Sequence, residues 1–375
     1  MNENNISQRV NEFLNTNYVG EITKDDWNRI SANKTLSEEF IEEFADNVDW
    51  FCISMCQKLS EDFIREFKDN VIWYNISVYQ KLSEDFIREF QDKVDWYCIS
   101  IHQNLSEPFI REFQDKVDWN KISVFQKLSE DFIREFQDKV KWCYISEYQK
   151  LSEEFIREFQ SKVIWHNISI YQKLSEPFIR EFQDKVCWYC ISGHQKLSES
   201  FIREFQHKVN WDYISCAQAL SEDFIREFQH KVYWNNISKY QKLSEGFINE
   251  FKNKLCVKVI KDSWHYKTTK EKKQAVIKTG LYECHEDYFI AYKGIRSDRY
   301  SRMNFQYQYE KDGVYESWCD CSNNENSFGL SVWDKNKATS YCNELVVRVK
   351  VKYEDVGRVV HKGGKVRCFK IEILD

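Results

Sequence analysis

Proline is nearly absent from this chain: 375 residues contain two, Pro108 and Pro177. Glycine is also scarce, with three of the ten in residues 1–255 and seven in 256–375. Such poverty excludes a collagen-like or linker-like chain and leaves the first two thirds without the residues that tight hairpins need. No run of 18 apolar residues occurs, so no segment reads as a transmembrane helix. The opening residues, MNENNISQRVNEF, lack the basic-then-apolar pattern of a secretory signal. These absences lead us to expect a soluble cytoplasmic protein with no membrane contact.

Other residue types are abundant. Aromatic residues make up 16% of the chain, with 13 Trp, which excludes a disordered chain. Thirteen cysteines at irregular spacing, an odd number in a chain this long, predict reduced thiols rather than disulfide staples. The net charge of −6 is uneven: residues 256–375 carry 22 Lys and Arg against 17 Asp and Glu, and residues 1–255 carry the acidic excess. An excess of +5 over 120 residues is too mild to predict nucleic-acid binding.

What the sequence does contain is repetition. LSEDFIREFQDKVDWYCIS, residues 82–100, has close copies on both sides. Leu recurs every 23 residues from Leu36 to Leu243, and Trp from Trp27 to Trp234, without insertion or deletion. A fixed period of this length marks stacked supersecondary units. Ser83 reads as an N-cap, with Glu84 and Asp85 in the first turn and Leu82 and Ile87 as a hydrophobic staple. Phe86, Ile87, Phe90 and Val94 share one helical face, and Glu84–Arg88 and Glu89–Lys93 read as (i, i+4) acid-before-base pairs on the outer side. Pro108 and Pro177 both stand two residues past the capping Ser, where a first helical turn tolerates proline. The second element, VDWYCISIHQ, spaces Trp96 and Ile99 for one helical face. A strand competes, but the L-x-x-L-x-L spacing of leucine-rich repeats is absent. The expectation is an α-helical repeat solenoid over 1–255, two short helices per unit. A single unit buries too little to offset its ordering entropy, so the units must stack.

Repetition also separates constrained positions from variable ones. The residues just before and just after Trp vary. So does the third position past Ile, which holds Tyr79, His102, Phe125, Tyr148, Tyr171, His194 and Tyr240. Positions rich in Tyr and His on a solenoid predict a face for a protein partner. Cys187-Trp188-Tyr189-Cys190 is a C-x-x-C, but both cysteines occupy variable slots and no second pair accompanies them, so it is set aside, as are Cys52 and Cys56. No metal is expected.

Beyond residue 256 the period stops. TTKEKKQAVIKTG predicts a helix capped by Thr268 or Thr269 and closed by Gly280, and WDKNKATSYCN one capped by Asp334. YFIAYKGI, NFQYQY, GVYESWC, LVVRVKVKY and KVRCFKIEIL read as strands, with Gly363-Gly364 turning a hairpin. This predicts a small α+β domain over 256–375, mostly antiparallel. The 23-residue units, with the stretch from GLYECHEDYFIAYKGIRSDRYSRMNFQYQY to YEDVGRVVHKGGKVRCFKIEIL, resemble uncharacterised tandem-repeat proteins of amoeba-infecting giant DNA viruses and their C-terminal domain of unknown function. The resemblance implies host cytoplasm and assigns no catalytic residue.

Three chemistries can be read in this domain. AYKGIR, SFGLSVW and a helix with Ala338 and Tyr341 resemble the layout of ADP-ribosyltransferase-like folds. That resemblance implies Arg296 facing NAD phosphates, Ser331 lining a nicotinamide pocket and Glu354 as the one available acid. Cys319, Cys321, Cys342 and Cys368 have poor spacing for zinc. Arg296, Arg299 and Arg302, interleaved with Tyr300 and Phe305, are candidates for phosphate. The favoured expectation is a non-enzymatic scaffold that binds protein, without cofactor, nucleic acid or small-molecule substrate. The alternative is a solenoid that targets an ADP-ribosyltransferase-like domain.

Overall fold

The computed structural model describes the chain except residues 1–2, 15, 17–21, 34, 257–259, 261–263, 265–266, 302–303, 318, 320, 322–328, 343 and 361–363. It is an α-helical repeat array followed by an antiparallel sheet domain. No helix among the described residues is long and apolar enough to cross a membrane. The chain divides into two compact units, Met1–Ile145 and Ser146–Asp375, so the division falls inside the array and the later repeats belong with the sheet domain.

In the first unit each 23-residue repeat makes two short helices, as in Glu84–Glu89 and Trp96–His102. Ser83 caps the first, its hydroxyl accepting from Phe86 N at 3.2 Å, as its residue type dictates. This helix is shorter than the apolar pattern suggests. It ends at Glu89, and Val94 reaches the core through a turn in which its N–H bonds Phe90 O at 3.1 Å. Phe86, Ile87, Phe90 and Val94 are all buried. Trp96 is half-buried and lies over the next repeat, 6.2 Å from the Phe109 ring and 4.9 Å from Phe113.

Polar side chains then link each repeat to the next. Gln103, which ends a second helix, is buried; its Nε2 donates to Ser77 O (3.0 Å) and Gln80 O (2.8 Å), and its Oε1 accepts from Leu82 N (3.0 Å). Ser77 Oγ donates to Trp73 O and accepts from Asp95 N. Glu61 accepts from the next capping serine, Ser83, through both N and Oγ. Ion pairs also run between repeats: Arg65 Nε meets Glu89 and Lys93 Nζ meets Asp69, each at 2.7 Å. The (i, i+4) pair Glu84–Arg88 is present at 3.9 Å. The expected Glu89–Lys93 pair gives way, because the helix ends between the two residues and each finds its partner in the preceding repeat.

The N-terminal helix Glu3–Leu14 lies outside the 23-residue pattern. Phe13 packs edge-on against Phe40 at 5.4 Å, and Arg9 forks onto Glu43 at 2.9 and 2.8 Å. It covers the first repeat as a terminal cap, which stacked repeats require.

In the second unit the same links continue. Gln172 donates to Gln149 O and Gln195 to Gln172 O, both at 2.8 Å. The pattern persists to Cys256, whose N–H donates to Ser238 Oγ at 2.9 Å. After it comes the helix Thr269–Ile277, with a complete capping box between Thr268 and Glu271, and Gly280 follows with φ +69°, as expected.

Among the described residues ten strands then form: β1 Glu283–Cys284, β2 Tyr288–Ile295, β3 Tyr300–Ser301, β4 Asn304–Gln308, β5 Val314–Glu316, β6 Leu330–Trp333, β7 Leu345–Lys352, β8 Val356–Val360, β9 Lys365–Cys368 and β10 Lys370–Ile373. The main sheet runs β5-β10-β7-β2-β6-β9-β8, with β1 on β2, while β3 and β4 pair separately. β7 alternates, burying Val347, Val349 and Val351 and turning Arg348, Lys350 and Lys352 outward. The helix Lys335–Tyr341, capped by Asp334, packs so close to β2 that a Cβ at Gly294 would overlap the Ala338 and Cys342 carbonyls. KVRCFKIEIL is two strands rather than one. At Phe369 the chain leaves the β6–β9–β8 side for the β5–β10–β7 side, its N–H bonding Asp355 O and its carbonyl accepting from Ser317 N. Gly363 lies outside the described residues; β8 and β9 pair antiparallel around its position.

Candidate interaction face

The variable positions all lie on or beside the second helices, and the structure divides them into three kinds. The slot before Trp is the N-cap. Asp49, Asp95, Asp118 and Asn210 accept from backbone N–H groups there, at 2.7 to 3.0 Å. Ile72, Ile164 and Tyr233 make no such bond and are exposed. The slot after Trp is exposed, with Phe51, Tyr74, Tyr97 and Tyr189 each more than half open to solvent.

The third slot past Ile behaves differently in the two units. In the first, Tyr79, His102 and Phe125 are exposed. In the second, Tyr148, Tyr171 and Tyr240 are half-buried and His194 is exposed. Burial, and then the neighbouring Glu147, raise the Tyr171 phenol above its ordinary value. Desolvation by the protein around it, and the charge of His166, lower the His194 imidazole. The sheet domain touches this row. Arg296 Nη1 donates to Tyr148 O at 3.2 Å, and Lys150 Nζ stands 4.4 Å above the Tyr300 ring.

The arginines expected to hold phosphate have protein partners. Arg296 also pairs with Asp298 at 3.3 Å. Arg299, at φ +66°, donates to Tyr309 O and Asp375 O, both at 2.6 Å. Arg302 lies outside the described residues. Of the residues expected in a nucleotide pocket, Ser331 is buried and its carbonyl accepts from Lys293 Nζ at 2.9 Å, while Glu354 pairs with Lys352 at 3.6 Å. Lys293 itself went unnoticed in the sequence. It is buried between the Tyr309 and Trp333 rings, and burial pulls its pKa down to about 8. Cys319, Cys321, Cys342 and Cys368 are buried too, Cys342 Sγ donating to Ile295 O at 3.1 Å.

A second feature missed in the sequence is an offset between neighbouring units. The residue one past Trp meets the residue two past the next Trp, 24 positions on. Tyr189 and Tyr213 join their hydroxyls at 2.9 Å, Lys121 Nζ sits 4.9 Å over the Tyr97 ring, and Asn236 donates to Asp212 O. The same offset brings His166 Nδ1 to 3.4 Å from Cys190 Sγ, beside Cys187. The signal was present in the period, but reading it requires knowing that side chains meet at the period plus one.

Comparison with known proteins adds no relative: no family model, no curated protein and no solved structure matches the chain.

Proposed function

We propose that the protein is a non-enzymatic repeat scaffold that binds a protein partner along the second helices of residues 1–145 and carries the sheet domain as an attached module. One observation carries this reading. Residues the fold needs are buried and repeated, whereas the varying ones, Tyr74, Tyr79, Tyr97 and Phe125, stand exposed on successive second helices. Exposed aromatic side chains in a series are what interface cores use, because they bury large areas at low entropic cost. The irregular spacing of thirteen cysteines in a chain this long supports a reducing, cytoplasmic setting for this scaffold, which the resemblance to giant-virus repeat proteins would make the host cytoplasm.

The test is affinity capture with the full chain and with a variant carrying Tyr74→Ser, Tyr79→Ser, Tyr97→Ser and Phe125→Ser, after checking that both melt at the same temperature. The expected result is a discrete protein retained by the parent and at least about tenfold less by the variant, the change that about 1.4 kcal/mol produces. Equal retention by both, or retention by neither, overturns the reading.

One observation favours the alternative, a nucleotide-using sheet domain. β2 and β6 are joined by a single residue pair, Tyr292 and Trp333, so the main sheet is narrowest there, next to the buried Lys293. Against it stand the internal bonds of Arg296. NAD raising the melting temperature of the full chain, with the rise lost in Arg296→Ala, would establish this alternative.

A further inference from the structure

We infer that His166, Cys187 and Cys190 form a three-ligand site for a zinc-type divalent cation, with one coordination position left open. Among the described residues this is the one group of His, Cys, Asp or Glu side chains whose ligand atoms gather, all within 4.8 Å of one another. The sulfurs of Cys187 and Cys190 are 2.7 Å apart, and His166 Nδ1 is 3.4 Å from Cys190 Sγ. A tetrahedral zinc with bonds of ~2.3 Å to sulfur and ~2.0–2.1 Å to nitrogen separates sulfur from nitrogen by about 3.6 Å. The imidazole and the Cys190 thiol therefore already stand at a coordination edge.

The two sulfurs must part by about 1 Å to reach the ~3.8 Å that the same geometry requires. Cys187 can supply this movement. It sits in the N-cap slot, where four other repeats use Asp or Asn, and besides meeting Cys190 Sγ its sulfur accepts from Cys190 N at 3.4 Å. Burial gives the cluster a closed base and an open mouth, since Cys190 is buried, Cys187 half-buried and His166 exposed. An ion can enter from solvent at the imidazole and reach the buried thiol last.

The ligand types suit zinc: two soft sulfurs and one imidazole are the donors that select it over magnesium or calcium. Two thiolates would neutralise the divalent charge. Both thiols must give up their protons to ligate the cation. Uptake should therefore release protons and weaken as the pH falls from 8 to 6. Three protein ligands leave the fourth place to water or to a group from a bound partner, as in zinc sites that are not purely structural.

A dithiol that closes to a disulfide is the competing chemistry, and the experiment separates the two. The full-length protein, reduced and stripped of metal, is titrated with zinc alone while its melting temperature and bound metal are measured. It is then titrated with cobalt(II), whose thiolate charge-transfer absorption reports sulfur ligation. The expected result is one zinc per chain, a rise in melting temperature and a cobalt–thiolate band. His166→Gln should weaken zinc binding by more than about tenfold, the least that losing even an outer-shell partner costs. Cys187→Ser should abolish the cobalt band, while Cys143→Ser, at an exposed cysteine elsewhere, should leave it unchanged. Far-UV circular dichroism confirms that each variant is folded, and a variant that unfolds is replaced by Cys187→Asp, which restores the cap of other repeats. The inference is overturned by zinc stoichiometry and melting shift that survive Cys187→Ser with His166→Gln. It is equally overturned if zinc causes no shift, or if, in air, dissolved oxygen takes two electrons and two protons from Cys187 and Cys190 and the zinc-treated protein is two mass units lighter with a disulfide in place of a metal site.

Discussion

The repeat array and the sheet domain reach stability by opposite routes. In the array one set of contacts is copied, and almost every partner lies one period away: Gln103 reaches Gln80, Arg65 reaches Glu89 and Trp96 covers Phe109. In the sheet domain the contacts occur once and span long stretches of chain. β2 pairs with β7 over eight residues from Tyr288↔Lys352 to Ile295↔Leu345, and Lys272 Nζ reaches Glu354 O across 82 positions. Copied contacts let the surface of each unit vary freely, since no single unit carries the whole fold. Single contacts allow groups such as buried Lys293, which only one environment can hold.

The largest expected effect strikes the copied link. Gln103→Leu would leave Leu82 N–H and the carbonyls of Ser77 and Gln80 buried without their present partner. Each orphaned group costs ~1–3 kcal/mol, so the loss should be about 5 kcal/mol. If the contacts are true copies, Gln80→Leu should cost the same, because Gln80 bonds Leu59, Ser54 and Gln57 in the same way. Urea denaturation of both variants checks this, and native-state hydrogen exchange should show the loss concentrated in adjacent repeats. Unequal losses would break the idea that one contact set is translated along the array.

This glutamine also shows where sequence reading reached its limit. The period, the Ser caps, the Thr268 capping box and the helix pair were legible, because each depends on residues close in sequence. Nothing close in sequence marks the repeated Gln as buried. Its burial follows from the open carbonyls that end each second helix, which only the neighbouring unit can satisfy. The ion pairs were placed along the helix for the same reason: Lys93 has an acid four residues back, but its real partner is Asp69. In the sheet domain strand identities were largely legible, yet their order was not, since nothing local tells β10 to join β5 and β7. The C-x-x-C of Cys187 and Cys190 reads in the sequence as two cysteines in variable slots without a second pair, and nothing local connects it with His166, 24 residues before Cys190.

A smaller effect is expected in the sheet domain, and it changes with pH. Lys293 is buried, and its pKa falls from 10.5 to about 8 on folding because desolvation disfavours the charged form. Between those values the unfolded chain binds more protons than the folded one, so stability rises with pH across that window. Below about pH 8 the cost is fully present, and the depression corresponds to about 3 kcal/mol. Lys293→Met should therefore stabilise the domain at pH 7, less whatever the bond to Ser331 O and the Tyr309 and Trp333 contacts contribute. Its advantage should shrink steadily as the pH is raised from 8 to 10. Urea midpoints across that range decide the matter, and a pH-independent difference would show that the lysine is held by compensating contacts.

The smallest effect compares one slot in the two units. Tyr79 and Tyr171 are both three past the repeat Ile, but Tyr79 is 56% exposed, while Tyr171 is half-buried beside Glu147 with its phenol raised by that burial. A surface substitution away from special features stays within about 0.5 kcal/mol, so Tyr79→Ala should leave the denaturation midpoint almost unmoved. Tyr171→Ala removes partly buried ring area at ~25 cal/mol per Å² and should cost about 1–2 kcal/mol. The slot is then free surface at Tyr79 and packing at Tyr171, which is why binding is proposed for the first unit. Equal, large losses at both positions would make the tyrosine row part of the core throughout and remove the ground for that assignment. Equal, negligible losses would extend the open face into the second unit, where His194 already stands exposed in the same row.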